Sequence, residues 1–212
     1  MAKKDYWKNI PNEQKIILEL CGGTGSWGKP YKDAGYKVVN ITHPHFDVFD
    51  YEVSLEELPF IYGILCAPTC TMFSLARTTA KIPRDLKGGF KLVQKCLDIV
   101  HHCMWSGNLM FWALENPVGY LRQTLGKPPL TFQPCDFGDG YTKRTDLWGY
   151  YNIPKKKPVE LTEQQARDCS INNRMLPQLP DDYVLPDNFG AQAARRSMTP
   201  KGFAMQFYKA NK

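Results

Sequence analysis

Apolar residues run along this chain in short blocks parted by glycine and polar joints. Lys15–Leu20, KIILEL, is an apolar run broken by CGGTGSWG, which predicts a strand, a tight turn and the start of a helix. Ser26–Ala34 fits a short helix with Pro30 in its first turn and Gly35 after its end. Tyr36–Thr42 is β-branched and reads as a second strand, Ile61–Ala67 as a third. In Asp85–Trp105, Phe90, Val93, Leu97 and Val100 recur at helical spacing; Asn108–Glu115, NLMFWALE, is again a buried strand. Alternating strand and helix predicts an α/β domain with a mainly parallel sheet. Thr131–Phe137 and Thr145–Tyr151 predict an antiparallel hairpin at one edge.

The pattern changes twice. Residues 1–14 form a polar arm before a core spanning 15–151. Residues 152–190 are rich in proline and charge, and predict a loop-rich insertion around one short helix, Glu163–Cys169. Residues 191–212 form a C-terminal segment. Phe203, Ala204, Phe207 and Tyr208 there stand at helical spacing and predict a helix that packs back on the core.

A chain of 212 residues is long enough for one domain with a full core. No apolar run is long enough to span a bilayer, and the first residues lack a signal-peptide stretch, so a cytoplasmic address and no membrane partner are expected. Seven scattered cysteines predict reduced thiols and no disulfide framework. The net charge of +6 suits a polyanionic partner or a solvated basic face equally well. KPYK at 29–32, PKKKP at 154–158 and ARR at 194–196 fit phosphate contacts.

Three strand ends carry candidate chemistry. Gly22, Gly23 and Gly25 follow the first strand, where a glycine loop lets backbone approach a ligand. The loop is not GxGxxG and has no Walker lysine, which counts against dinucleotides and nucleoside triphosphates. After the third strand comes CAPTCTMFS: Cys70 stands on a loop, where a cysteine can be a nucleophile, and Cys66 lies in the strand as a core residue. Cys66 and Cys70 with His43 and His45 are spaced more loosely than CxxC, and no second cysteine pair completes a zinc set. Glu115 closes the next strand in ALENPVGYL. A carboxylate there either bonds a backbone N–H to fix a turn or serves as a proton donor. Trp27, Trp112 and Trp148 read as packing, Cys96 and Cys103 as the core face of a helix, and His101 and His102 as non-catalytic.

The order LELCGGTGSWGKPYKDAGYKV, APTCTMFSLAR, ALENPVGYLR and DFGDGYTKRTDLWG resembles the DNA cytosine carbon-5 methyltransferases, and more closely their short phage and prophage forms. The likeness runs from about Ile16 to Tyr151 and resumes at RRSMTPKGFAMQFYKAN. It implies a class I, Rossmann-like methyltransferase fold, S-adenosylmethionine as cofactor and DNA as partner, with a phage or mobile-element setting in a host cytoplasm. Assembly with a second copy is left open. Cys70 matches the nucleophile that attacks carbon 6 of an extruded cytosine, and Glu115 the glutamate that assists at ring nitrogen 3. Leu20, Cys21, Gly22, Gly23, Thr24, Gly25 and Pro68 would face the cofactor, with Asp50 near its adenine. Arg77, Lys143 and Arg144 would hold the base or flanking phosphates, with Ser74 and Asn116 on the substrate side.

Three departures bear on these expectations. The second strand ends Asn40–Ile41–Thr42–His43, with no acid until Asp47. The usual PPC reads Pro68–Thr69–Cys70. Only residues 152–190 stand where a target-recognition domain would, so short or weak sequence specificity, or reliance on a second subunit, is expected. Two other readings stay open. One is the same covalent chemistry on a nucleotide, on RNA or with a modified donor; the other is a catalytically silent binding protein.

Overall fold

A computed structural model describes residues 3–75, 81–166, 176–186 and 190–212. Six strands form one sheet among the described residues: β1 (Ile16–Leu20), β2 (Lys37–Ile41), β3 (Ile61–Cys66), β4 (Phe111–Pro117), β5 (Leu130–Phe132) and β6 (Thr145–Tyr150), in the order β2-β1-β3-β4-β6-β5. β2, β1, β3 and β4 pair in parallel, while β6 runs antiparallel to both β4 and β5. The chain turns outward in opposite senses at the β1/β3 boundary. That places the loops after β1, β3 and β4 along one edge, where open α/β sheets bind ligands.

Strand alternation gives the sheet two chemically different faces. Ile16, Leu18 and Leu20 of β1 join Ile64, Cys66, Leu114 and the helix α3 (Leu86–Ser106), which contributes Val93, Cys96, Val100 and Cys103. Asp85 caps this helix by accepting the Gly88 N–H. The other face is aromatic. Ile17 and Leu65 meet Trp27, Tyr31, Phe111, Phe132, Phe203 and Phe207, the last two on the C-terminal helix Lys201–Ala210. Phe203 stacks on Phe132 with ring centroids 4.0 Å apart. The expected core roles of Cys66, Cys96, Cys103, Trp27 and Trp148 hold: all are 5 % exposed or less.

Several expected boundaries move. The polar arm contains the helix α1 (Lys3–Trp7), whose Trp7 is buried, packs edge-on against Tyr62 and donates its Nε1–H to the Asn108 carbonyl at 2.8 Å. Asn108 lies before the strand, and β4 begins at Phe111 and runs past Glu115 to Pro117. The helix after the glycine loop is α2 (Lys29–Asp33), shorter than expected, with Pro30 in its first turn. The strand expected over Thr131–Phe137 stops at Phe132. Pro134 has no N–H for a ladder, and Gln133 and Asp136 form a capping box around a 3-10 turn. The tail forms two helices, Ala191–Ser197 and Lys201–Ala210. Residues 163–166 are helical, and the remainder of the Glu163–Cys169 prediction lies outside the described residues.

Candidate functional site

The sheet's carboxyl edge opens into a cleft of about 810 Å³ lined by all three singled-out strand ends: Cys21, Gly22 and Gly23; Pro68 and Cys70; and Glu115 with Asn116. A volume of that size suits a drug-sized ligand.

The glycine loop forms one wall. Cys21, Gly23 and Gly25 have φ of +57°, +55° and +69°, which curl the backbone tightly after β1. A Cβ on Gly22 would collide with Glu19 and Asn40, whereas nothing lies within 4 Å of one on Gly23, which leaves the space in front of it open. The end of β2 clips the loop: Gly23 N–H donates to Thr42 Oγ1 at 3.1 Å, and Asn40 Nδ2 donates to the Gly23 carbonyl at 3.1 Å. Glu19 braces it from beneath, accepting the Gly28 N–H at 3.0 Å. Burial pushes the Glu19 carboxyl up to about 8, against the opposing pull of the Gly28 and Trp27 N–H groups. Asn40 Oδ1 and Thr24 Oγ1 are buried with no hydrogen-bond partner among the described residues. Thr24 and Asn40 line a smaller hollow of about 230 Å³ beside the cleft.

The opposite wall is built by β3, β4 and β6. Asn116 Nδ2 donates to the Pro68 carbonyl at 2.9 Å and holds the cysteine loop to β4. Beyond Cys70 the chain turns, its carbonyl accepting the N–H of both Phe73 and Ser74 at 2.9 Å. Gly119 lets the loops touch backbone to backbone, since a Cβ there would strike the Phe73 carbonyl. Arg84 clamps the far side, donating to the Met72 and Ser74 carbonyls at 2.8 Å. The antiparallel register of β6 against β4 brings Thr145 opposite Pro117, so Lys143 just before it reaches Glu115, with Nζ 3.9 Å from Oε1. Glu115 is 5 % exposed, and its Oε2 has no hydrogen-bond partner among the described residues. Burial pushes the Cys70 thiol up; Lys143 pulls it down and Glu115 pushes it further up.

The residues expected at a site divide clearly. Cys70, Glu115, Asn116, Lys143, Pro68, Cys21, Gly22 and Gly23 meet in the cleft, and Thr24 in the adjoining hollow. Gly25 closes the loop, its N–H donating to the Gly22 carbonyl. Leu20 is wholly buried in the aliphatic core. Asp50 is exposed; the carboxylate of that loop which lines the cleft is Asp47, 3.4 Å from His43 and accepting the Phe49 N–H. Arg144 is exposed, its carbonyl taken by the Val118 N–H. Ser74 bridges to Gly119, tying the cysteine loop to the loop after β4. Arg77 lies outside the described residues. Arg196, of the ARR cluster read as a phosphate contact, completes the cleft from the C-terminal third together with Tyr183 and Gln192, which sequence reasoning missed.

A parallel sheet with one reversed strand set between its last two parallel members is the class I methyltransferase arrangement, and this chain has that fold. Forty chains of solved structures align with it. The Entamoeba histolytica methyltransferase EhMeth does so at 9 % identity and a TM-score of 0.43, covering 92 % of this chain and 97 % of that one. A mutant of Spodoptera frugiperda DNMT2 aligns at 14 % identity and 0.38, covering 81 % and 57 %. At those scores neither likeness bears on the chemistry, which rests on the cleft itself. No protein-family model matches the sequence, and no curated protein matches it.

Proposed function

We propose that the chain is an S-adenosylmethionine-dependent DNA cytosine carbon-5 methyltransferase. The observation that carries this reading is the meeting of Cys70, Glu115 and Lys143 in one cleft with the glycine loop.

The residues present fit the cofactor. The open space before Gly23 admits a ligand against the loop, and the orphaned Asn40 Oδ1 and Thr24 Oγ1 are acceptors for ammonium or hydroxyl donors. Cys21, Gly22 and Gly23 would hold its amino-acid end, and Asp47 is the carboxylate available for its ribose. When bound, S-adenosylmethionine supplies an electrophilic methyl carbon.

Cytosine is electron-poor at carbon 6, and Cys70 is the thiol that would attack there. Glu115 would place a proton on ring nitrogen 3, which draws the ring's electrons that way and leaves carbon 5 nucleophilic once sulfur has added. Loss of the carbon-5 proton to solvent would then re-form the bond between carbons 5 and 6 as a double bond, break the bond from carbon 6 to sulfur and release Cys70 as a thiolate. A base within a duplex cannot reach a cleft of this kind, so the substrate nucleotide must be extruded or single-stranded. The net charge of +6 supports a nucleic-acid partner.

The test is incubation with isotopically labelled S-adenosylmethionine and, separately, duplex DNA, RNA and free cytidine nucleotides, followed by digestion and mass spectrometry of the nucleosides. Label in 5-methyldeoxycytidine from the duplex is expected. Label confined to RNA or free nucleotides overturns the DNA assignment, and label in none overturns the enzyme.

A further inference from the structure

We infer that Lys143 is a positioning residue whose ammonium holds the negative charge that moves between Cys70 and Glu115 as a proton passes from one to the other. The inference rests on the reading of Cys70 as the nucleophile and Glu115 as the acid.

Three observations place Lys143 in this role. Its Nζ stands 3.9 Å from Glu115 Oε1, and both side chains line the cleft that holds Cys70. Its side chain is only 20 % exposed, unlike that of a lysine reaching into solvent toward a phosphate. Its backbone is pinned at the start of β6: the Lys143 carbonyl accepts the Thr145 hydroxyl at 2.9 Å, and the next carbonyl, of Arg144, accepts the Val118 N–H at 3.0 Å.

The charge arithmetic then gives the lysine its work. With the thiol protonated and Glu115 ionised, the pair carries one negative charge. With the thiolate formed and Glu115 protonated, it still carries one, now on sulfur. An unpaired charge on the buried Glu115 or the half-buried Cys70 is disfavoured, and Lys143, 3.9 Å from Glu115 and near enough to pull on the thiol, lowers the cost of both arrangements. The Cys70 S–H bond breaks and an O–H bond forms on Glu115. The sulfur lone pair forms the bond to carbon 6, the ring's π electrons shift toward nitrogen 3, and the Glu115 proton is delivered there. Elimination returns the electron pair to sulfur and the nitrogen-3 proton to Glu115. Lys143 keeps its three protons throughout. An arginine could hold the charge equally well; a neutral side chain could not.

Among the described residues, the charged groups that act on the thiol are Glu115 on β4 and Lys143 before β6, while His43, Asp47 and Arg196 line the cleft's other walls. The test is the pH profile of iodoacetamide alkylation at Cys70, read by peptide mass spectrometry on the full chain. In Lys143→Met the midpoint is expected to rise by about one pH unit. In Lys143→Arg it should stay within a few tenths of the native value, and in Glu115→Gln it should fall. A native profile for Lys143→Met, or a shift in Lys143→Arg as large as in Lys143→Met, overturns the inference. Should Lys143→Met not fold, the two near-isosteric variants decide: an unmoved midpoint in Glu115→Gln contradicts it. The assay contains neither nucleic acid nor methyl donor. A negative result therefore leaves the methyl-transfer reading standing, and a chain that transfers no methyl group can still show the shifts.

Discussion

Two buried glutamates sit on neighbouring parts of the same sheet and are treated in opposite ways. Glu19 on β1 is 1 % exposed and Glu115 on β4 is 5 % exposed. Glu19 accepts backbone N–H groups from the segment it braces, and a Cβ on either Gly22 or Gly28 would collide with it. Glu115 keeps Oε2 unpartnered among the described residues and faces a lysine at 3.9 Å, across a cleft it shares with a half-buried thiol. A buried polar atom left unsatisfied costs about 1–3 kcal/mol. A fold tolerates that where the atom has something else to bind. Burial alone therefore does not single out a candidate catalytic carboxyl; burial together with an unpartnered oxygen, on a residue that lines a cleft, does.

The contrast can be broken most sharply at the cysteine. Cys70→Ala should abolish methyl transfer outright while leaving the thermal unfolding midpoint close to native, and activity surviving in this variant would remove the covalent reading. Glu115→Gln keeps the shape of the strand end and should lower the methyl-transfer rate by about 10²–10⁴-fold, with little loss of stability. A rate within a few-fold of native would put Glu115 in the same structural class as Glu19. For Glu19→Ala the order of effects reverses. Denaturant unfolding should show a loss of about 1–3 kcal/mol for each N–H left without an acceptor, and activity should fall only as far as the loop is displaced. A stable but inactive Glu19→Ala protein would mean that Glu19 does chemistry after all.

The remaining prediction is a pH dependence. The folded-state Glu19 carboxyl is raised from 4.5 to about 8, so the folded chain keeps a proton that the unfolded chain has already lost. Its contribution to stability is fully present below about pH 4.5 and is lost progressively as pH rises to about 8. The melting-temperature difference between Glu19→Gln and the native chain should therefore move in favour of the glutamine variant across that window. A constant difference from pH 5 to 8 would show that Glu19 ionises in the fold as it does in water.

The contrast between the two acids also shows what the sequence could reveal. Parallel strands carry their chemistry at their carboxyl ends, so Gly22, Cys70 and Glu115 could be assembled from strand ends alone. The aliphatic runs of β1 and β3 and the helical period of Phe90, Val93, Leu97 and Val100 gave the layers. Pairing register was beyond reach. Lys143 approaches Glu115 only because β6 runs back against β4, and nothing in YTKRTD distinguishes it from the exposed Arg144 beside it. Asp47 and Asp50 lie three residues apart in one loop, and only the turn geometry there decides which reaches the cleft. Trp7 was hidden in a polar arm, because a lone aromatic has no period to read. Glu19 passed unnoticed because its partners are backbone N–H groups, which every sequence has.

In the proposed reaction Cys70 bonds covalently to cytosine while S-adenosylmethionine serves as methyl donor. Duplex DNA containing 5-fluorocytosine tests it most directly, because fluorine at carbon 5 cannot leave as a proton does and holds the adduct in place. The protein, the duplex and S-adenosylmethionine are incubated at low salt and run on a denaturing gel, with Cys70→Ala alongside. A shifted band that requires both the methyl donor and Cys70 is expected. The same band from Cys70→Ala, or no band from the native chain across duplexes of randomised sequence, would contradict it.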